Sequence, residues 1–229
     1  MRAHPPVTAG TPAAAGRPSR RAAVVLLVLP ALAGSLALTA CLPAAPTSTP
    51  TNSTSQGSTV NTSEFSTLDA AGVDQIRENK SARLDMGSGT LQKAAVRVTE
   101  DSYGPEINTM DSGKIQLTIV GPAGEVSGET DRIRFNTTNL QTDFSEVTYF
   151  LTADSAEEYF DLIRDGVERY GIDAGSAERW ISTATKKPDF KSDFSLTSGT
   201  ATGLEVNYDL RYDGAKNTQV IIVHVAPLN

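Results

Sequence analysis

Acidic residues are absent from the first 63 positions of this 229-residue chain, and the first of them is Glu64. The remaining length, about 165 residues, suits one domain that buries roughly 70% of its unfolded-chain surface. Four of the 20 basic residues precede Cys41 and all 27 acidic residues follow it, so the chain from Cys41 onward has a formal net charge of −11. An acidic domain repels phosphate backbones and anionic headgroups. The charge therefore argues against nucleic-acid binding and against membrane docking through a basic patch.

Cysteine and histidine are nearly missing. Cys41 is the only cysteine, which excludes an intramolecular disulfide and a cysteine-based metal cage. His224 is the only histidine after Cys41, and its place in an apolar strand predicts a partly buried side chain bonded to a neighbour. No Gly-x-Ser-x-Gly elbow accompanies it, and Ser-x-x-Lys is missing from residues 64–229. The sequence therefore predicts no catalytic residue, no cofactor and no metal site, and it favours a binding protein over an enzyme.

A basic segment precedes a short apolar segment near the N-terminus. Arg17, Arg20 and Arg21 lead into residues 22–38, which are apolar except for a few small or helix-breaking residues such as Pro30. This order, with positive charge before the apolar run, is typical of a secretory signal peptide rather than a transmembrane helix.

The apolar run ends in Leu38-Thr39-Ala40-Cys41: an apolar residue, two small residues and a cysteine. Together with the preceding segment it resembles the lipobox of bacterial lipoproteins. The resemblance covers about 25 residues. It implies that residues 1–40 are removed, that the Cys41 sulfur carries a lipid with acyl chains such as palmitate, and that the protein is anchored to the outer face of the cytoplasmic membrane. Two acyl chains give a stable anchor where one does not. An ordinary cleaved signal peptide and an uncleaved anchor remain alternatives, and the export route, Sec or twin-arginine, stays open.

Residues 42–63 are uncharged and rich in Pro, Thr and Ser. Such a composition buries too little apolar area to offset its ordering entropy, so we expect a disordered linker over 41–63. As a flexible coil these 22 residues span about 26 Å on average. The predicted organisation is a signal peptide at 1–40, a lipidated linker at 41–63 and one globular domain at 64–229.

Apolar periodicity predicts the elements of this domain. Alternation indicates strands at 91–99, 115–119, about 133–135 and 147–151, and a closing hairpin formed by 202–211 and 218–226 around Asp213-Gly214. Helical spacing indicates helices at about 67–79, 156–170 and 176–186, the second with a Ser155–Glu158 capping box. The order of elements predicts an α+β fold, with an antiparallel sheet of about five to seven strands and two or three helices packed on one face.

Two features bear on function. The acidic helix positions Glu157, Glu158, Asp161 and Asp165 lie opposite the apolar stripe and predict a solvated face. Five aromatic residues at inward positions are candidates either for ordinary core or for the lining of a ligand cavity: Tyr149, Tyr159, Phe160, Tyr170 and Trp180.

The leading hypothesis is a non-enzymatic envelope module that binds or scaffolds a protein, wall polymer or small ligand near the membrane. The alternative is a carrier that encloses a lipid or other amphiphile in an apolar cavity. A carboxylate-dependent envelope enzyme comes third.

Overall fold

The computed structural model describes residues 65–138 and 140–228, so the predicted signal peptide, Cys41 and linker lie outside the described residues. Three α-helices and eleven strands form in the described part. The helices are α1 Ala70–Asn79, α2 Ala156–Tyr170 and α3 Ala174–Lys186. The strands are β1 Ser81–Asp85, β2 Leu91–Gln92, β3 Glu106–Asn108, β4 Ile115–Val120, β5 Glu125–Thr130, β6 Arg132–Asn136, β7 Asp143–Phe144, β8 Glu146–Thr152, β9 Lys191–Ser195, β10 Glu205–Asp213 and β11 Thr218–Ala226.

A six-stranded antiparallel sheet with the order β3-β6-β8-β11-β10-β9 dominates the fold. Alternate residues of its central strands point to one face and are buried, as shown by Ile221, Val223 and Val225 in β11. The predicted α+β fold with helices on one side of an antiparallel sheet is confirmed. The predicted hairpin is also present, although its first strand runs from Glu205 to Asp213 and its turn is a single 3₁₀ turn, Gly214–Lys216.

Helix α2 forms where the sequence predicts it. The Ser155 hydroxyl accepts a hydrogen bond from the Glu158 amide at 3.1 Å, and Gly171 ends the helix in the left-handed region. The Glu158 carboxylate accepts a hydrogen bond from the backbone amide of Asp154 rather than from that of Ser155. The second bond of the capping box is therefore made to the residue before the N-cap. On the buried stripe, the Tyr159 hydroxyl donates to the carbonyl of Val220, which fastens the helix to β11.

A smaller mixed sheet completes the inner layer. Strand β1 pairs in parallel with β4, and β4 pairs antiparallel with β5. Gly128 of β5 lies against the side chains of Tyr149 and Leu151, so this sheet packs on the inner face of β8. The sequence did not predict this second sheet, because β1 and β5 carry few apolar residues and the parallel pairing joins distant segments.

The strand predicted at 91–99 is wrong beyond Gln92. Only Leu91–Gln92 pair, with β7, and the chain then turns through Arg97 in the left-handed region with φ +60°. The reason lies in Lys93, which is fully buried beside the Phe144 ring and donates to the carbonyl of Glu100 at 2.9 Å. A buried lysine fixed by one carbonyl favours a turn that encloses it, which apolar alternation does not reveal. The first helix also starts later than predicted, at Ala70 after Asp69 as N-cap.

Helix α2 approaches β10 at a glycine. A Cβ placed on Gly166 would lie 2.5 Å from Cε2 of Tyr208, a distance that side chains do not tolerate. Glycine costs about 1 kcal/mol relative to alanine within a helix. The contact with the tyrosine ring explains why α2 has a glycine at position 166 despite this cost.

We predict that Gly166→Ala lowers the free energy of unfolding by about 1–3 kcal/mol, because the overlap outweighs the gain in helix propensity. Gly175→Ala is the matched control, since its Cβ would meet the flexible end of Arg179 at 3.2 Å and Oδ1 of Asp173 at an ordinary contact distance of 3.5 Å, and it should leave stability unchanged or slightly raised. Urea unfolding followed by Trp180 fluorescence measures both. Equal effects of the two substitutions would contradict the role of the close contact.

Candidate functional site

The outer face of the six-stranded sheet carries a polar groove of about 450 Å³. We call it the sheet groove. It lies across β8, β11 and β10, on the side opposite α2 and α3, and it reaches the last residue of β9 and the segment after it. Its lining consists of Glu146, Ser195, Ser198, Glu205, Asn207, Asp209, His224 and Ala226.

A histidine–carboxylate pair occupies this groove. His224 Nδ1 lies 3.0 Å from Glu146 Oε1. This oxygen also accepts hydrogen bonds from the Thr148 hydroxyl at 2.6 Å and from the side-chain amide of Asn136. These bonds, chiefly the one from His224, lower the pKa of Glu146 to about 2 despite its partial burial. The same bond to Glu146 raises the pKa of His224 above its ordinary value of 6.5. The predicted role of His224, a partly buried histidine bonded to a neighbour, is confirmed.

The serines of the sheet groove donate their hydrogen bonds to residues other than His224 and Glu146. Ser195 donates to the amide oxygen of Asn207 at 3.1 Å, and Ser198 donates to the Glu205 carboxylate at 2.9 Å. A serine nucleophile instead requires a hydrogen bond to the histidine that accepts its proton. The groove therefore presents hydrogen-bond acceptors, and its carboxylates suit a partner that brings amine, guanidinium or hydroxyl donors.

The five predicted aromatic residues separate into two buried clusters. Tyr159, Phe160 and Trp180 pack against one another at ring-centroid distances of 5.8–6.5 Å. Phe190 and Tyr212 complete this cluster, in which Trp180 meets Tyr212 edge-on at 5.5 Å. These rings fill space with one another, as expected of core aromatics.

Tyr149 and Tyr170 belong to the second cluster, with Tyr208. The Tyr170 hydroxyl bridges the amide and carbonyl of Ser127 at 3.1 and 2.9 Å. The Tyr149 hydroxyl is fully buried and has no hydrogen-bond partner within the described part of the chain. Burial raises the pKa of Tyr149 and of Tyr208 well above their ordinary value, so both stay neutral phenols.

Beside the second cluster lies a smaller cavity of about 230 Å³, between α2 and the strands β5 and β8. We call it the helix cavity. The rings of the five predicted aromatics do not line it, whereas Tyr208 does. Its lining consists of Lys114, Ser127, Gly128, Glu129, Leu151, Thr152, Glu158, Leu162, Asp165, Arg169 and Tyr208.

The acidic positions of α2 lie on its solvated face, as predicted. Asp161 pairs with Arg164 at 3.3 Å and Asp165 pairs with Arg169 at 3.0 Å, each within one helical turn. Within residues 65–138 and 140–228, no group of three or more His, Asp or Glu side chains is arranged to hold a metal ion.

Comparison of the chain with protein families, curated proteins and solved structures finds no significant match. The site is therefore interpreted from its own geometry.

Sequence reasoning identified His224 but neither its partner nor the helix cavity. Glu146 and His224 are 78 residues apart, and they meet because β8 pairs with β11 so that Thr148 lies opposite His224. Side chains two residues off the register on one sheet face remain within reach of each other. Tyr208 falls within a predicted strand, but nothing in the sequence indicates which inward tyrosine borders open space.

The histidine–carboxylate pair predicts a pH-dependent stability. Because the pKa of His224 is raised, its contribution is complete below pH 6.5 and is lost as the pH rises through the raised value. Because the pKa of Glu146 is lowered to about 2, its contribution is complete above pH 4.5 and is lost as the pH falls toward 2. The pair is therefore most stabilising between about pH 4.5 and 6.5.

We expect His224→Gln to lower the free energy of unfolding by about 1–2 kcal/mol at pH 5.5 and by less at pH 8.5. Glutamine keeps a neutral donor near Glu146 but does not titrate. Urea unfolding of both proteins at the two pH values gives the difference. A variant whose stability falls equally at both values shows that protonation of His224 does not couple to folding.

Proposed function

We propose that this chain is a lipid-anchored module of a bacterial cell envelope that binds a partner on the open face of its six-stranded sheet and does not catalyse a reaction. The observation that carries the proposal is the combination of Leu38-Thr39-Ala40-Cys41 with an uncharged 22-residue linker and an acidic domain. In the described part of the chain, no helix is long and apolar enough to cross a membrane.

The sheet groove supports the binding role. Its histidine is held by a carboxylate and its serines are held by Asn207 and Glu205, so no nucleophile is aimed at His224 from the described residues. Asp209 is paired with Arg211 at 2.7 Å, Glu146 with His224 and Glu205 with the Ser198 hydroxyl, and each carboxylate keeps lone pairs for further donors. A partner that offers several donors finds matching acceptors on a rigid sheet.

The alternative of a lipid carrier receives less support. The candidate aromatic residues pack on one another, and the helix cavity of about 230 Å³ is smaller than the roughly 300–1,000 Å³ of pockets for drug-sized ligands. A carrier of an acyl chain requires a larger apolar space than this cavity provides.

The anchor is tested by Cys41→Ala. We expect the variant to lose labelling by a radioactive or alkynyl palmitate analogue and to leave the membrane fraction, because the acyl chains supply the membrane affinity. Ala40→Gly is the control, since it keeps a small residue before the cysteine and should be labelled normally. Full membrane retention of unlabelled Cys41→Ala, with normal removal of the signal peptide, would overturn the anchor.

The non-catalytic role is tested by turnover assays on peptidoglycan, phospholipid and peptide substrates, with the wild-type chain and His224→Gln side by side. We expect no turnover above buffer in either protein, because no nucleophile among residues 65–138 and 140–228 is hydrogen-bonded to His224. A wild-type activity that His224→Gln reduces by 100-fold or more would show that the groove is an active site instead.

A further inference from the structure

The helix cavity is lined by a tyrosine whose ring is buried and whose hydroxyl has no partner among the described residues. Tyr208 is 1% exposed and its ring lies against Gly166, on the inner side of the cavity. Among the described residues, no hydrogen bond involves its hydroxyl, and its raised pKa reflects burial and neighbouring charges alone. A tyrosine in the lining whose hydroxyl is not engaged by the described residues is available to donate to a molecule held in the cavity.

The lining of the cavity combines apolar and charged side chains. Leu151 of β8 and Leu162 of α2, with the ring of Tyr208, supply its apolar part. A molecule enclosed here therefore needs an apolar body. The volume of about 230 Å³ exceeds the roughly 150 Å³ that holds a benzene molecule, so a single ring with a short polar chain fits.

Arg169 is fixed at the rim with donors to spare. Its guanidinium donates to the Ser127 hydroxyl at 2.6 Å and to the Asp165 carboxylate at 3.0 Å, and it stacks over the Tyr170 ring at 4.9 Å. A guanidinium has five N–H donors, of which these two bonds use two. Together with Lys114, it offers positive charge to a ligand carboxylate.

Carboxylates complete the rim. Glu129 and Glu158 line the same cavity, and Asp165 is already paired with Arg169. The lining thus contains basic and acidic side chains beside the two leucines. A ligand with a single charge is repelled by the lining residues of the same sign, whereas a zwitterion offers an opposite charge to the basic and to the acidic residues.

We propose that the helix cavity is a binding site for a small zwitterion with an apolar side chain, of the size and chemistry of a free hydrophobic amino acid. The apolar side chain lies between Leu151 and Leu162, the carboxylate meets Arg169 and Lys114, and the Tyr208 hydroxyl donates to a ligand oxygen. This site is separate from the sheet groove and does not rest on the function proposed for that groove.

The test is isothermal titration calorimetry of the full chain in mild detergent with three probes: phenylalanine, 3-phenylpropionate and 2-phenylethylamine. They share the ring and differ in charge. We expect phenylalanine to bind at least tenfold more tightly than either singly charged probe. No heat of binding for phenylalanine at millimolar concentration, or equal affinities for all three probes, overturns the proposal.

Tyr208→Phe and Tyr212→Phe locate the site. Both remove one buried hydroxyl from the same face of β10, but the Tyr212 hydroxyl reaches the carbonyl of Pro188 outside the cavity. We expect Tyr208→Phe to weaken phenylalanine binding at least fivefold and Tyr212→Phe to leave it unchanged. Equal affinities of the two variants overturn the assignment to the cavity.

Leu162→Trp keeps the test decisive if either tyrosine variant unfolds. The half-buried Leu162 lies on α2 at the cavity wall and packs against the edge of the core, and a larger side chain there fills the space. We expect this variant, checked for unchanged urea unfolding, to lose phenylalanine binding. Wild-type affinity in the folded variant would show that phenylalanine binds elsewhere.

Discussion

The inner face of the six-stranded sheet must be covered, and α2 covers its part of that face by coming within ring contact of β10 at Gly166. There the helix backbone lies against the ring of Tyr208. Elsewhere along α2, contact with the small sheet depends on long side chains, as when Arg169 reaches the hydroxyl of Ser127. The helix cavity lies beside these side chains. The contact at Gly166 and the bond from Tyr159 to Val220 thus hold the helix and leave room beside it.

The same layering leaves the outer sheet face uncovered by α2 and α3. Strand alternation sends every second residue of β8, β10 and β11 to that face, where half-buried polar side chains keep partners of their own. Glu146 and His224 are diagonal neighbours there, and their mutual bond lowers one pKa and raises the other. Each side chain thus supplies the hydrogen-bond partner of the other, and the bond between them stabilises the charged forms of both.

Periodicity predicted those elements whose stability comes from one apolar stripe. Helix α2 and strand β11 were found because their inward residues recur at 3.6 and 2 positions. Periodicity did not predict three other features: the buried Lys93, the two-residue strands and the parallel β1–β4 pair. These features depend on long-range contacts, which leave no local pattern in the sequence. For the same reason, the histidine of the sheet groove was predicted with an unnamed partner, and the helix cavity was not predicted at all.

In the proposed topology, the negative charge of the domain and the lipid anchor at Cys41 have opposite effects on the distance between the domain and the membrane. A domain of formal charge −11 is repelled by an anionic membrane, yet that repulsion is screened within about 8 Å at physiological salt. In that proposed topology, a linker that behaves as a coil would span about 26 Å, which would place the domain beyond the reach of the membrane's field. The proposed anchor would then supply proximity alone. The proposed selection of a partner would be left to the acceptors of the sheet groove, because acidic groups attract donors from a distance and accept their hydrogen bonds on contact.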